Sequence, residues 1–199
     1  ITGRADVNLA AVNYHFGSKE ALISAVLERI VAPINQERMA LLDELEARYP
    51  GGDYPLEELV GIFIVPPLRT VGKDQGLSAR RMELVSHVYA DKRPVTRQLL
   101  FRQFGEIFHR FHRLFAHALP EIPKEEIPWR IHFLVGAMVH TMRAVVDPVS
   151  PERLMPHMEE EPHSVESLVQ HLVPFIVAGL AAPRPAAMPF LADLLSRVE

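Results

Sequence analysis

Residues 7 to 19 read VNLAAVNYHFGSK. A short helical run from about Asn8 to Tyr14 is closed by Phe16-Gly17, and Ser18 is then placed to cap a second helix. Glu20 falls in the first turn of that helix, where the dipole favours a carboxylate. The leading turn holds only Leu9, Ala10 and Ala11, and the tip holds Asn13, Tyr14 and His15, with Lys19 just beyond. Helix-turn-helix modules need this inventory. The start of a short helix enters the major groove, and hydroxyls, amides, His and Lys around it hold phosphates. Asn8 caps the helix and turns its free amides toward a phosphate, while small side chains at Ala10 and Ala11 let a base edge come close. Tyr14 and Phe16 as core residues of a plain helical hairpin, with Lys19 a solvated charge, is the simpler alternative. For Val12 and Phe16 packing is the preferred reading, and for the stretch as a whole DNA reading is.

Outward from this stretch, apolar residues recur at spacings of three and four, and no run shows the alternation of a strand. The chain is therefore predicted to be all-α. A long helix runs from Ser18 to about Ala47 with Pro33 inside it, which removes a backbone donor and should bend it. YPGGDYP (49–55) breaks the chain, and a helix opening at Pro55 is kinked or ended near Val65 by Pro66-Pro67. Gly72–Gly76 reads as a loop. Further helices are expected over Leu77–Tyr89, Pro94–Leu119, Lys124–Val146, Ser164–Ala182 and Phe190–Val198, with a proline-rich, acidic loop at 147–164. The architecture is a small N-terminal helical element joined to an antiparallel helical bundle.

The composition bounds the function classes. Hydrophobic residues at 48% and charged residues at 23% are those of a globular chain able to bury a core. No stretch approaches the roughly 18 apolar residues of a membrane helix, and no signal peptide is apparent at the N-terminus. The absence of cysteine fits a reducing cytoplasm and excludes thiolate chemistry. The net charge of −4 hides an asymmetry, since residues 69–117 carry ten basic and four acidic groups. That excess, with Arg80, Arg81, Arg102, Arg110 and Arg113 in it, is either a solvated face above DNA or the rim of a pocket for a carboxylate or phosphate.

The motif YHFGSKEAL (Tyr14–Leu22) after a short helix resembles the signature of the TetR family of bacterial transcriptional repressors. The resemblance implies base-edge contacts around Leu9, Ala10 and Asn13, and phosphate contacts from Asn8, Tyr14, His15 and Lys19. It divides the chain into the C-terminal part of a helix-turn-helix (1–17), a connecting helix (18–47) and a ligand-binding and dimerisation domain (48–199). The family's first helix and complete second helix do not fit in the six residues before Val7, so some tens of residues are expected to precede Ile1. Asp6 stands where such modules often carry Gly, a position that Asp tolerates better than most residues.

Two helices have the character of a dimer interface. Trp129, Phe133, Leu134, Val135, Met138, Val139 and Met142 make the helix of about 124–146 apolar on nearly all sides, and Leu168, Leu172, Phe175, Ile176 and Leu180 do so for about 164–182. Such helices need cover on both faces, one from the bundle and one from a second copy. Both could instead lie at the centre of a monomer core. The intervening helices are expected to enclose an apolar pocket lined by Phe63, Arg81, Met82, Leu84, Phe104, Phe108, Phe111 and Met138, although any one of these residues could equally be ordinary core.

WRIHFLVGAM (129–138) and HLVPFIVAGL (171–180) are similar to proteobacterial TetR-type regulators of fatty-acid metabolism, which implies a long-chain fatty acid or its CoA thioester as effector. His109, His112 and His117 invite a metal reading, but they lack a carboxylate at ligand spacing and the period places them opposite the Phe stripe. With no glycine-rich phosphate loop, GxSxG or HExxH present, neither an enzyme nor a cofactor is expected. The reading is a homodimer on double-stranded operator DNA, released by a small apolar or amphipathic effector. A helical ligand-binding or interaction module without DNA binding is the alternative.

Overall fold

The computed structural model describes residues 14–71, 94–146, 164–184 and 189–197, with Arg81, Leu84, Val88, Asp91 and Arg93 singly between them. Among these residues every regular element is helical, as expected. Tyr14–Phe16 ends a helical segment, Gly17 takes the left-handed φ of 72°, and Ser18 turns the chain into α1 (Lys19–Arg48). The Ser18 hydroxyl accepts from the Ala21 amide at 3.0 Å, which is the cap read from the sequence. The element starting at Asn8 and the loop at 147–164 lie outside the described residues, except for Tyr14–Phe16 and Ser164. In the helix expected over 77–89, Arg81, Leu84 and Val88 are described and are helical.

The turn after α1 is closed by Gly52 at φ 84°, where a Cβ would come within 2.1 Å of the His117 Nε2. A side chain there would need a left-handed backbone and a displaced imidazole. Then come α2 (Leu56–Val71), α3 (Pro94–Ala118), α4 (Ile127–Val146), α5 (Val165–Ala181) and α6 (Pro189–Ser196). Three residues expected at the start of α4 form a turn instead, with the Glu126 amide donating to the Pro123 carbonyl at 2.8 Å. At α5 the Ser164 hydroxyl accepts from the Ser167 amide at 3.1 Å, so that start is where the sequence placed it.

The bundle is organised around α2, which touches α1, α3, α4 and, most extensively, α5. Leu59, Val60, Phe63, Ile64 and Leu68 are almost wholly enclosed, as a helix apolar on all sides requires. Each such side chain stabilises the fold by about 1.5–3 kcal/mol. Pro66-Pro67 neither ends α2 near Val65 nor keeps it out of the core, because the helix continues to Val71. Two helical amides are nevertheless missing, and the carbonyls of Ile62 and Phe63 lose the donors four residues on.

A side chain replaces one of them. Arg38 of α1, 3% exposed, donates from Nε to the Phe63 carbonyl at 3.0 Å and from Nη2 to the same oxygen. Its guanidinium carbon lies 4.6 Å from the Phe63 ring centroid. Thus a defect made by two prolines in one helix is closed by an arginine of another.

The positive excess of 69–117 has a use that neither sequence reading foresaw. Arg110, on α3, reaches Asp43 at 2.6 Å and also Glu46, Arg113 reaches Glu46 at 2.8 Å, and Arg69 reaches Glu37 at 2.9 Å. Those three cations dock against the acidic face of α1. Arg102 stays exposed, and Arg80 lies outside the described residues.

Candidate ligand cavity and nucleic-acid interface

At the N-terminal end of α1 the polar tip is open. Tyr14 is 87% exposed, with its ring 5.4 Å from that of His15 in an edge-on contact, and Lys19 is exposed on the first turn of α1. Asn8, Leu9, Ala10 and Asn13 lie outside the described residues. Phe16, read as a packing residue, is 39% exposed, so the described part of the chain does not enclose it. The described end of this stretch therefore carries a hydroxyl, an imidazole and an ammonium, all available to an anionic surface.

α1 then runs into the wall of the interior. A cavity of about 550 Å³ lies between α1, α2, α3 and α4, within the range of small-molecule sites. Its walls include Phe63, Phe104, Phe108 and Met138, four of the residues expected there. Arg38, Arg97, Phe101, Val135 and Val139 complete much of it and were not foreseen. A second cavity, of about 270 Å³, shares Arg38, Phe104, Met138 and Val139 with the first and adds Ile30, Ile34 and Arg81.

Phe111 is not on the wall. It is fully enclosed, 4.7 Å from Phe63 and 6.0 Å from Phe115 between ring centroids, because its position on α3 faces the core beneath α2. Leu84 is half-buried and lines neither cavity, and Met82 lies outside the described residues. The histidines of α3 are more varied than a single polar face allows. His109 lines the larger cavity and His117 packs on Gly52 and Tyr54, with a ring separation of 6.0 Å to the latter.

Among the described residues lining these cavities, Arg38 is the one that is both charged and almost fully buried. Beyond its bonds to Phe63 its partners among the described residues are weak and neutral, the Asn35 Oδ1 at 3.5 Å from Nη1 and the Met138 Sδ at 3.9 Å from Nη2. Burial pulls its pKa down to about 10, with the nearby charge of Glu37 opposing, so the guanidinium is still charged at neutral pH. Its signal in the sequence was its register. Leu27, Val31, Arg38, Leu42 and Leu45 all face inward on α1, and the arginine occupies a core position.

α4 and α5 bury one face each and leave the other bare. Ile127, Ile131, Leu134 and Met138 point inward, whereas Trp129 and Phe133 are 62% and 65% exposed; on α5, Leu172, Ile176 and Leu180 are buried and Phe175 is 70% exposed. Arg130 ties the two helices together by donating to the Gly179 and Leu180 carbonyls at the end of α5.

An all-helical bundle with an apolar cavity, entered by a long helix bearing an exposed polar tip, has the form of an effector-binding regulator. Residues 61–179, well over half of the chain, match the family model described as tetracyclin repressor-like, C-terminal domain, and the chain belongs to the TetR family of regulators. No curated protein matches it.

Proposed function

We propose that the protein is a dimeric, DNA-binding transcriptional repressor whose operator affinity falls when an apolar or amphipathic effector fills the cavity beside α1. The observation that carries this reading is the continuity of α1. The same 30-residue helix starts beside Tyr14, His15 and Lys19 and supplies Ile30, Ile34 and Arg38 to the cavity walls. Ligand and DNA therefore act on one continuous helix, and each must weaken the other by the same factor if they favour different positions of it. Asn8, Leu9, Ala10, Asn13, Tyr14, His15 and Lys19 are assigned to the DNA interface.

Two recognition elements on a palindromic site need two copies of the chain. The bare face of α4 and α5, with Trp129, Phe133 and Phe175, is the surface assigned to that pairing. The similarity of WRIHFLVGAM and HLVPFIVAGL to regulators of fatty-acid metabolism favours a long-chain fatty acid or its CoA thioester as effector, in the cytoplasm. An apolar lining rich in Phe and Met suits an acyl chain.

The test is a gel shift with the full natural chain and its own upstream region. A shifted band at moderate salt that is lost on adding a long-chain fatty acid or acyl-CoA is expected. No shift with any palindromic sequence removes the DNA-binding reading and leaves a helical ligand-binding module.

A further inference from the structure

Among the described residues the fixed charge lining the two cavities is of one sign. The larger has Arg38 and Arg97 in its walls, beside the His109 imidazole, the smaller Arg29, Arg38 and Arg81, and neither has a described aspartate or glutamate. Arg38, common to both, is the buried member, and no carboxylate lies within ion-pair distance of it among the described residues. A buried cation held only by neutral acceptors leaves much of its desolvation cost uncompensated. The Phe63 carbonyl takes the Nε and Nη2 side of the guanidinium, which fixes the plane of the group. The remaining Nη1 and Nη2 edge has only the weak contacts to Asn35 and Met138, and Met138 lines both cavities. Two parallel N–H donors on a rigid, dehydrated fork match a carboxylate in geometry and in charge.

We propose that Arg38 is the recognition residue for a free carboxylate, so that the cavity takes an amphiphile with one ionised carboxyl head and selects against its thioester and its neutral analogues. This rests on the cavity being the effector site, and it decides between the two effector forms left open above. A thioester presents no charge where the carboxylate would sit. The phosphates of a CoA group are separated from the thioester by a long pantetheine arm, whereas Arg38 is 3% exposed. The Phe63 carbonyl is part of the device: the acceptor orphaned by Pro67 orients the arginine before any ligand arrives, which lowers the ordering cost of binding.

The experiment measures calorimetric binding of dodecanoate, dodecanol and dodecanoyl-CoA to the full natural chain at pH 8. Dodecanoate is expected to bind at least about tenfold more tightly than dodecanol, the size of a charge-assisted hydrogen-bonded pair. R38M is expected to keep dodecanol binding and to lose the preference. Should R38M alone unfold, R38M made on P67A provides a backbone N–H for the Phe63 carbonyl and carries the same comparison. In the unsubstituted protein, carboxyl-¹³C-labelled dodecanoate is expected to titrate well below the usual carboxylate range when bound. Equal affinity for dodecanoate and dodecanol, tighter binding of dodecanoyl-CoA, or an ordinary titration of the labelled carboxyl overturns the assignment of Arg38 while leaving the cavity as a binding site. Failure of all three compounds to bind overturns both.

Discussion

The Tyr54 hydroxyl, buried at the α1–α2 turn, donates to the Leu114 carbonyl at 2.8 Å, and burial pushes the phenol up to about 12. An acid with its pKa raised in the folded state contributes stability that is complete below the unfolded value near 10 and lost as pH climbs through the range up to about 12. Y54F should cost about 1 kcal/mol near pH 8 and should flatten the fall in stability across that alkaline range, both read by urea unfolding at a series of pH values. At Arg38 the relevant quantity is a coupling. R38M leaves the Phe63 carbonyl without a donor, whereas P67A restores the helical amide. The double variant should therefore be about 1 kcal/mol more stable than the sum of the single changes, measured as a denaturation cycle. Additivity would show that the two positions do not serve the same carbonyl.

Between elements, the closest electrostatic joint is the one α1 makes with α3. Glu46 is held below the ordinary carboxylate range first by the hydrogen bond from Arg110 and then by Arg113, against the opposing effect of burial. A depressed carboxylate contributes stability that is present above its unfolded pKa and lost as pH falls through its folded one. E46Q should thus remove part of the acid limb of a stability–pH curve and leave the region above pH 6 nearly parallel to wild type. R110A, which breaks contacts to both Asp43 and Glu46, should cost about 1 kcal/mol, since one of its partners is largely in solvent. High salt should shrink that difference, and thermal unfolding at two ionic strengths checks it. Helix positions were readable because Ser18, Ser164, Pro94 and the YPGGDYP break are local signals that act within one turn. What Pro66-Pro67 would do was not readable in this way. A proline pair normally ends a helix, and the arginine that serves the orphaned Phe63 carbonyl lies 25 residues from Phe63 along the chain.

Across the whole molecule, the same distinction separates the parts of the site that were legible from those that were not. Aromatic residues at helical spacing on α3 announced a wall, and Phe104 and Phe108 form one; Phe111, one turn further, turned inward because the period alone does not say where the core ends and the cavity begins. Arg38 was overlooked since an arginine in a mixed stretch such as INQERMALL reads as solvated until its neighbours in space are known. The bare aromatic face of α4 and α5 followed directly from helices apolar all round. F133E, or F175E, should convert a dimer to a monomer in light scattering with helical content unchanged, and should abolish the gel shift while leaving effector binding within a few-fold of wild type. Dimers that persist in both variants would place the pairing surface elsewhere.

Under the proposed function, the joint at Glu46 and the glycine turn beneath His117 would be the fixed end of α1. From Glu46 to Arg38 is about 12 Å along the helix, and from Glu46 to Lys19 about 40 Å, at about 1.5 Å per residue. A swing about that fixed end multiplies any displacement at the cavity roughly threefold by the time it reaches the tip, on the same helical rise. Under the proposed function α1 would act as a lever whose short arm ends at the cavity and whose long arm ends at Lys19.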